Sequence, residues 1–107
     1  MAKFMYLYRG PAPSMTDLTP ERAAERMAAF GAWMAGVGTA LIDVGNPFGL
    51  SGSIRDDGTE GPAGDLIGYT IVEAVDLDGA KALTDSLPFL SNNDGKCVVE
   101  IFELLSM

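Results

Sequence analysis

A chain of 107 residues with an apolar fraction of 48% and no apolar run long enough to span a bilayer reads as one globular domain over residues 1–107 with a single hydrophobic core. Its formal charge of −8, with seven scattered Lys and Arg, lacks the concentrated basic surface that a nucleic-acid backbone or an anionic membrane requires. The chain has no histidine and one cysteine, Cys97, which excludes an internal disulfide and Ser-His-Asp or Cys-His catalysis within one chain. No metal site and no cofactor are expected on the same ground.

Met1-Ala2-Lys3 leads into strand-like sequence without a charged-then-apolar leader, and the lone thiol fits a reducing compartment, so the expected location is cytoplasmic. Lys3 to Arg9 is rich in aromatic and large apolar residues and predicts a first strand, stopped by Gly10-Pro11. Residues 11–18 carry turn formers and predict a surface loop. Thr19-Pro20-Glu21 is a helix start, in which Thr19 caps, Pro20 fits the first position and Glu21 complements the dipole. Ala23, Met27, Phe30, Met34 and Val37 then recur on one helical face, and the helix ends near Gly36 or Gly38. Trp33 falls off the centre of that stripe, as an edge contact or an interface anchor.

Thr39 to Val44 predicts a second strand, broken by Gly45-Asn46-Pro47-Phe48-Gly49. A short strand at Leu50 to Ile54 is followed by an acidic turn at 56–62 and then by a long strand, Asp65 to Ala74. Asp76 caps a second helix, with Leu77, Ala80, Leu83 and Leu87 facing inward until Pro88 ends it. Ser91 to Gly95 reads as a loop and Lys96 to Leu104 as the last strand. This order predicts an α+β domain, a ferredoxin-like split β-α-β sandwich whose two helices cover one face of an antiparallel sheet.

Alternation divides the strands into two faces. Met5, Leu7, Ile42, Val44, Gly68, Thr70, Val72, Val99 and Ile101 are assigned to the helix-covered side. Phe4, Tyr6, Tyr8, Leu41, Asp43, Ile67, Tyr69, Ile71, Val98, Glu100 and Phe102 form the helix-free side. A face so aromatic predicts a homodimer that presses two such sheets together and leaves a cavity between them for a small hydrophobic or polar-aromatic molecule. The alternative is a monomer with these faces assigned the wrong way.

Gly45-Asn46-Pro47, the Gly61-Pro62 turn, Gly68-Tyr69, Asp76-Leu77-Asp78 and Pro88-Phe89, in this order and spacing, resemble the YCII-related, or DGPF-domain, proteins over nearly the whole chain. The resemblance implies a ferredoxin-like fold assembling as a dimeric α+β barrel. Some members carry a histidine on the first helix and an aspartate before the proline after the second, and those positions fall here near Met27 and at Leu87. Both are apolar, so that pair cannot operate, and the Asp-Gly-Pro-Phe signature is reduced to Glu60-Gly61-Pro62-Ala63.

The cavity candidates are Tyr6, Tyr8, Asp43, Asp65, Tyr69 and Glu100, with no catalytic residue assigned. Asp43 is a base or a ligand-orienting acceptor on one reading and a partner of tyrosine or backbone at the sheet end on the other. Asp65 shares a strand face with Tyr69 at a spacing of four, or is a turn residue. Glu100 is a cavity acid or an edge-strand charge. The run Asp56 to Glu60 lacks the spacing of an EF-hand and reads as a solvated turn. Gly61, Gly64 and Gly68 do not make a dinucleotide fingerprint, and Cys97 reads as an inert core residue. A small-molecule-binding protein is the leading function. The alternatives are a cofactor-independent isomerase or lyase using Asp43 or Asp65 as base, with Tyr69 as acid or orienter, and a structural or interaction module.

Overall fold

The computed structural model describes residues 1–10, 19–90 and 95–106. In chain order it contains β1 (Ala2–Arg9), α1 (Pro20–Val37), β2 (Leu41–Asp43), β3 (Ser53–Ile54), β4 (Glu60–Gly61), β5 (Leu66–Ala74), α2 (Leu77–Ala82) and β6 (Val98–Leu104). The sheet order is β2-β5-β1-β6, with every pair antiparallel, and both helices lie on one side. This is the ferredoxin-like α+β arrangement that the order of elements predicts. The loops expected at 11–18 and 91–94 and the side chain of Ala23 lie outside the described residues.

The helix starts follow from their caps. Thr19 Oγ1 accepts from the Arg22 amide at 3.2 Å, Pro20 takes the first helical position, and α1 ends at Gly38, whose φ of 63° is the left-handed turn glycine adopts freely. Asp76 Oδ1 accepts from the Gly79 amide at 2.7 Å and opens α2. That helix stops at Ala82, well before Pro88, and a 3₁₀ turn at Pro88–Leu90 follows. Ala80 and Leu87 are buried and Leu83 packs against the core, whereas Leu77 is exposed.

Strand β1 presents its two faces the opposite way from the expectation. Phe4 and Tyr6 are buried beneath the helices and Tyr8 packs beside them, while alternation turns Met5 and Leu7 to the helix-free side. The reason lies across the strand pair, where Phe4 stands opposite Val72, Tyr6 opposite Thr70 and Tyr8 opposite Gly68. Small residues on β5 leave the volume that the rings of β1 fill, and burying rings removes more apolar surface from water than burying Met or Leu. Leu41 also packs on the helix side. A register irregularity between Leu41 and Asp43 lets Asp43 pair with Ile71 on the helix-free side, so the two are not on one face. Ile42 and Val44 are exposed rather than covered.

Trp33 is a core residue, 3% exposed, with its indole N–H donating to the Leu83 carbonyl at 2.8 Å. Phe30, Met34 and Val37 pack beside it, but the first half of α1 leaves the core behind and Met27 is 76% exposed. Helix α1 therefore overhangs the sheet. The short strand expected at 50–54 is confined to Ser53–Ile54 and pairs with Glu60–Gly61 in a separate two-stranded ribbon. At its tip Asp57 Oδ1 accepts from the Thr59 amide at 3.0 Å and the Thr59 hydroxyl at 2.7 Å, bonds that hold its carboxyl below the usual range. No helix is long and apolar enough to cross a membrane among the described residues.

Candidate functional site

The overhang of α1 produces a cleft of about 1230 Å³ between the first half of the helix and the sheet. Its helix wall carries Arg22, Arg26, Phe30 and Met34, spaced by four along one stripe that passes from charged to apolar. The sheet wall carries Tyr8, Gly68 and Thr70, and Phe89 and Cys97 close one side. Ile67 and Tyr69, which alternate with Gly68 and Thr70, also line it. The cleft thus runs past the sheet edge, where β2 is only three residues long.

That edge is held by the segment after β2. Asp43 Oδ1 accepts from the Gly45 amide at 2.9 Å and Gly45 turns with φ 76°. Pro47 bridges to Gly68, the Phe48 amide donates to the Ile67 carbonyl at 2.8 Å, and the Phe48 ring stacks on Tyr69 with centroids 6.0 Å apart. Gly68 has no side chain because Asn46 and Pro47 press against it, at 3.2 and 3.3 Å from where a Cβ would stand. Phe48 is therefore positioned as a wall of the cleft by the Pro47 bridge and its own amide bond to β5.

The polar atoms of the sheet wall are few and ordered. The Thr70 hydroxyl donates to the Val44 carbonyl at 2.9 Å, and the Tyr8 hydroxyl lies 2.7 Å from Thr70 Oγ1. Burial pushes the pKa of Tyr8 up, partly offset by the Thr70 hydrogen bond, so the phenol keeps its proton at neutral pH. Phe89 meets the Tyr8 ring edge-on at 5.1 Å. Arg22 and Arg26 at the mouth make no ion pair with the described residues, and Glu25 lies between them.

The six residues singled out from sequence are not gathered in one place. Tyr8 and Tyr69 line the cleft. Asp43 is exposed at its rim, its Oδ2 3.5 Å from the Tyr69 hydroxyl. Tyr6 lies in the core, fully buried, with its hydroxyl donating to the Ala80 carbonyl. Asp65 is exposed at the bend before β5. Glu100 pairs with Arg9 at 3.1 Å across the helix-free face, an exposed ion pair of small energetic weight. Cys97 is half-buried beside the cleft and precedes β6, not a core position within it. Phe30, Phe48, Phe89 and Thr70 are cleft residues that the sequence reading passed over. Thr70 alone carried a signal, as a hydroxyl on a strand face otherwise made of Gly68, Val72 and Ala74.

No family model matches the chain, and no curated protein matches it by sequence. Among solved structures it is similar to 5-chloro-2-hydroxyhydroquinone dehydrochlorinase (TftG) from Burkholderia phenoliruptrix AC1100, in complex with 2,5-dihydroxybenzoquinone. The identity is 20% and the TM-score 0.51, over 94% of this chain and 91% of that one. The likeness is one of fold.

Proposed function

We propose that this chain is a single-domain, homodimeric, YCII-related protein of the cytoplasm that binds a small aromatic molecule in the cleft beneath α1. The observation that carries the reading is the cleft itself: mostly apolar walls, several aromatic rings, and a few polar groups, among them the paired hydroxyls of Tyr8 and Thr70 on the floor, the pattern of small-molecule sites. Its place differs from the inter-sheet cavity expected from sequence, because the tyrosines of β1 point toward the helices. The 2,5-dihydroxybenzoquinone held by TftG, a small six-membered-ring compound, is in keeping with a ring-shaped ligand of this size. Assembly as a dimeric α+β barrel is supported by the helix-free face, where alternation gathers Met5, Leu7, Ile71, Val98, Phe102 and Leu104, with Phe102 52% exposed.

Titration calorimetry with phenols, benzoates and hydroxyquinones, including 2,5-dihydroxybenzoquinone, is expected to find binding at micromolar to millimolar concentration. Phe48→Ala should weaken it about fivefold or more through the lost ring contact. Light scattering on the same samples should return the mass of a dimer. A panel without a binder, or binding indifferent to Phe48, would remove the cleft from consideration.

One observation favours a second reading. The Tyr69 hydroxyl beside the Asp43 carboxylate at the cleft rim is a pair with which a cofactor-independent isomerase or lyase moves a proton, Asp43 as base and Tyr69 as acid or orienter. That reading requires Asp43→Asn to abolish turnover of a bound compound while leaving its affinity within a few-fold.

A further inference from the structure

We infer that the cleft selects ligands that donate a hydrogen bond, because the hydroxyls of its floor are chained in one direction and leave Tyr8 only acceptor capacity toward the ligand. The inference rests on the cleft's being a small-molecule site and adds the chemical class that it takes.

A threonine hydroxyl has one proton. Thr70 Oγ1 lies 2.9 Å from the Val44 carbonyl oxygen, which can only accept, so the Thr70 proton is committed there. Tyr8 Oη lies 2.7 Å from the same Oγ1. With Thr70 having no second proton to give, Tyr8 must be the donor in that pair, and its single proton points into the sheet. What Oη presents to the cleft is its lone pairs.

The polarity of this chain is fixed rather than averaged. Thr70 is completely buried, so water does not compete for its hydroxyl. Phe89 packs edge-on against the Tyr8 ring and limits its movement. The Val44 carbonyl belongs to the segment anchored by the Asp43 to Gly45 bond and the Pro47 bridge. A ligand hydroxyl or N–H placed at Tyr8 extends the chain to four members, each donating to the next. A carbonyl, ether or halogen placed there meets lone pair with lone pair, and its own acceptor goes unpaired. Arg22 and Arg26 also line the cleft, without ion-pair partners among the described residues and with Glu25 between them, so the charged part of its helix wall is net positive in a protein of net charge −8. The class that fits both features is a phenol or aromatic N–H compound that also carries an acidic group.

The test uses three benzoates differing at the para position: hydroxyl (donor), methyl (equal size, apolar) and formyl (acceptor only). Affinities are measured by titration calorimetry on the wild type, Tyr8→Phe and Thr70→Val. The wild type is expected to bind the hydroxyl compound about tenfold more tightly than the methyl compound, and the formyl compound no better than the methyl one. Tyr8→Phe should erase the hydroxyl preference. Thr70→Val should free the Tyr8 proton, and so raise the affinity for the formyl compound about tenfold relative to the methyl compound. Only a directional chain predicts that last inversion. Equal binding of hydroxyl and methyl compounds by the wild type overturns the inference while leaving the cleft a binding site. So does an unchanged formyl-to-methyl ratio in folded Thr70→Val. If Thr70→Val does not fold, the Tyr8→Phe comparison decides alone. If none of the three binds the wild type, the small-molecule reading and this inference fall together.

Discussion

Tyr6→Ala should destabilise the protein by about 4 kcal/mol, the usual cost of deleting a large buried ring and leaving its volume empty. Tyr6 is 0% exposed, packs 6.5 Å from the Trp33 ring, and sits at the centre of the central strand between Thr70 and Ile101. Its hydroxyl satisfies the Ala80 carbonyl and so ties the sheet to α2. Tyr6→Phe keeps the ring and loses only this bond, for about 1 to 2 kcal/mol. The pair is distinguished by urea unfolding, and also by pH. Burial, with the nearby Tyr8 adding to it, pushes the pKa of Tyr6 from 10.0 up to about 12. The unfolded chain therefore loses this proton first, and the stability held in the neutral phenol is complete below pH 10 and lost as pH rises toward 12, by about 2 to 3 kcal/mol. Tyr6→Phe should flatten that part of the alkaline limb. An unchanged limb in the variant would show that Tyr6 ionises as readily folded as unfolded.

Gly45→Ala should cost about 3 kcal/mol or more and impair the cleft as well as the fold. Two penalties coincide at this residue. Its φ of 76° is strained for any residue with a Cβ, and that Cβ would fall on the backbone carbonyl of Tyr69, which is fixed inside the sheet. The segment must lift to relieve the clash, taking with it the Pro47 bridge, the Phe48 amide bond and the stacked Phe48 ring. Gly58→Ala separates the terms. Its φ is 87° but its Cβ would enter open space, so the backbone penalty acts by itself and about 1 kcal/mol is expected. Urea unfolding of the two variants measures the difference, and equal losses would mean that the steric contact with Tyr69 is easily relieved.

The topology was legible because it is written in local signals: Thr19-Pro20 and Asp76 open helices, glycines and prolines close strands, and apolar runs mark the sheet. The faces of β5 were legible too, since the small residues Gly68 and Thr70 alternate there with the large Ile67, Tyr69 and Ile71. In β1 both alternate sets, Phe4-Tyr6-Tyr8 and Met5-Leu7, are apolar, so the period of two is present without a phase. Only the size of the partners, Gly68 and Thr70, decides it, and that pairing is a tertiary fact. The cleft was hidden for a related reason. The stripe on α1 reads as a continuous contact surface, yet its first half extends beyond anything it can pack against, and the empty space there is a consequence of where the sheet stops. Tyr8 and Tyr69 reach the site from opposite alternation sets, which no single-strand pattern pairs. Asp65 and Glu100 were grouped with Tyr69 by alternation alone, which fixes a side of the sheet but not a distance along it.

The β3–β4 ribbon stands outside the main sheet, with two residues in each strand, all of them exposed, and a turn closed mainly by its own bonds. A two-stranded ribbon of this kind is marginal without packing. Its opening needs none of the core around Tyr6 and Trp33 to loosen, so the rate at which a protease nicks the ribbon should follow a local equilibrium at residues 53–61 rather than global unfolding. Core substitutions that halve the overall stability would then leave cleavage within the ribbon almost unchanged, and protein nicked there would keep its main sheet, both helices and the cleft beneath α1.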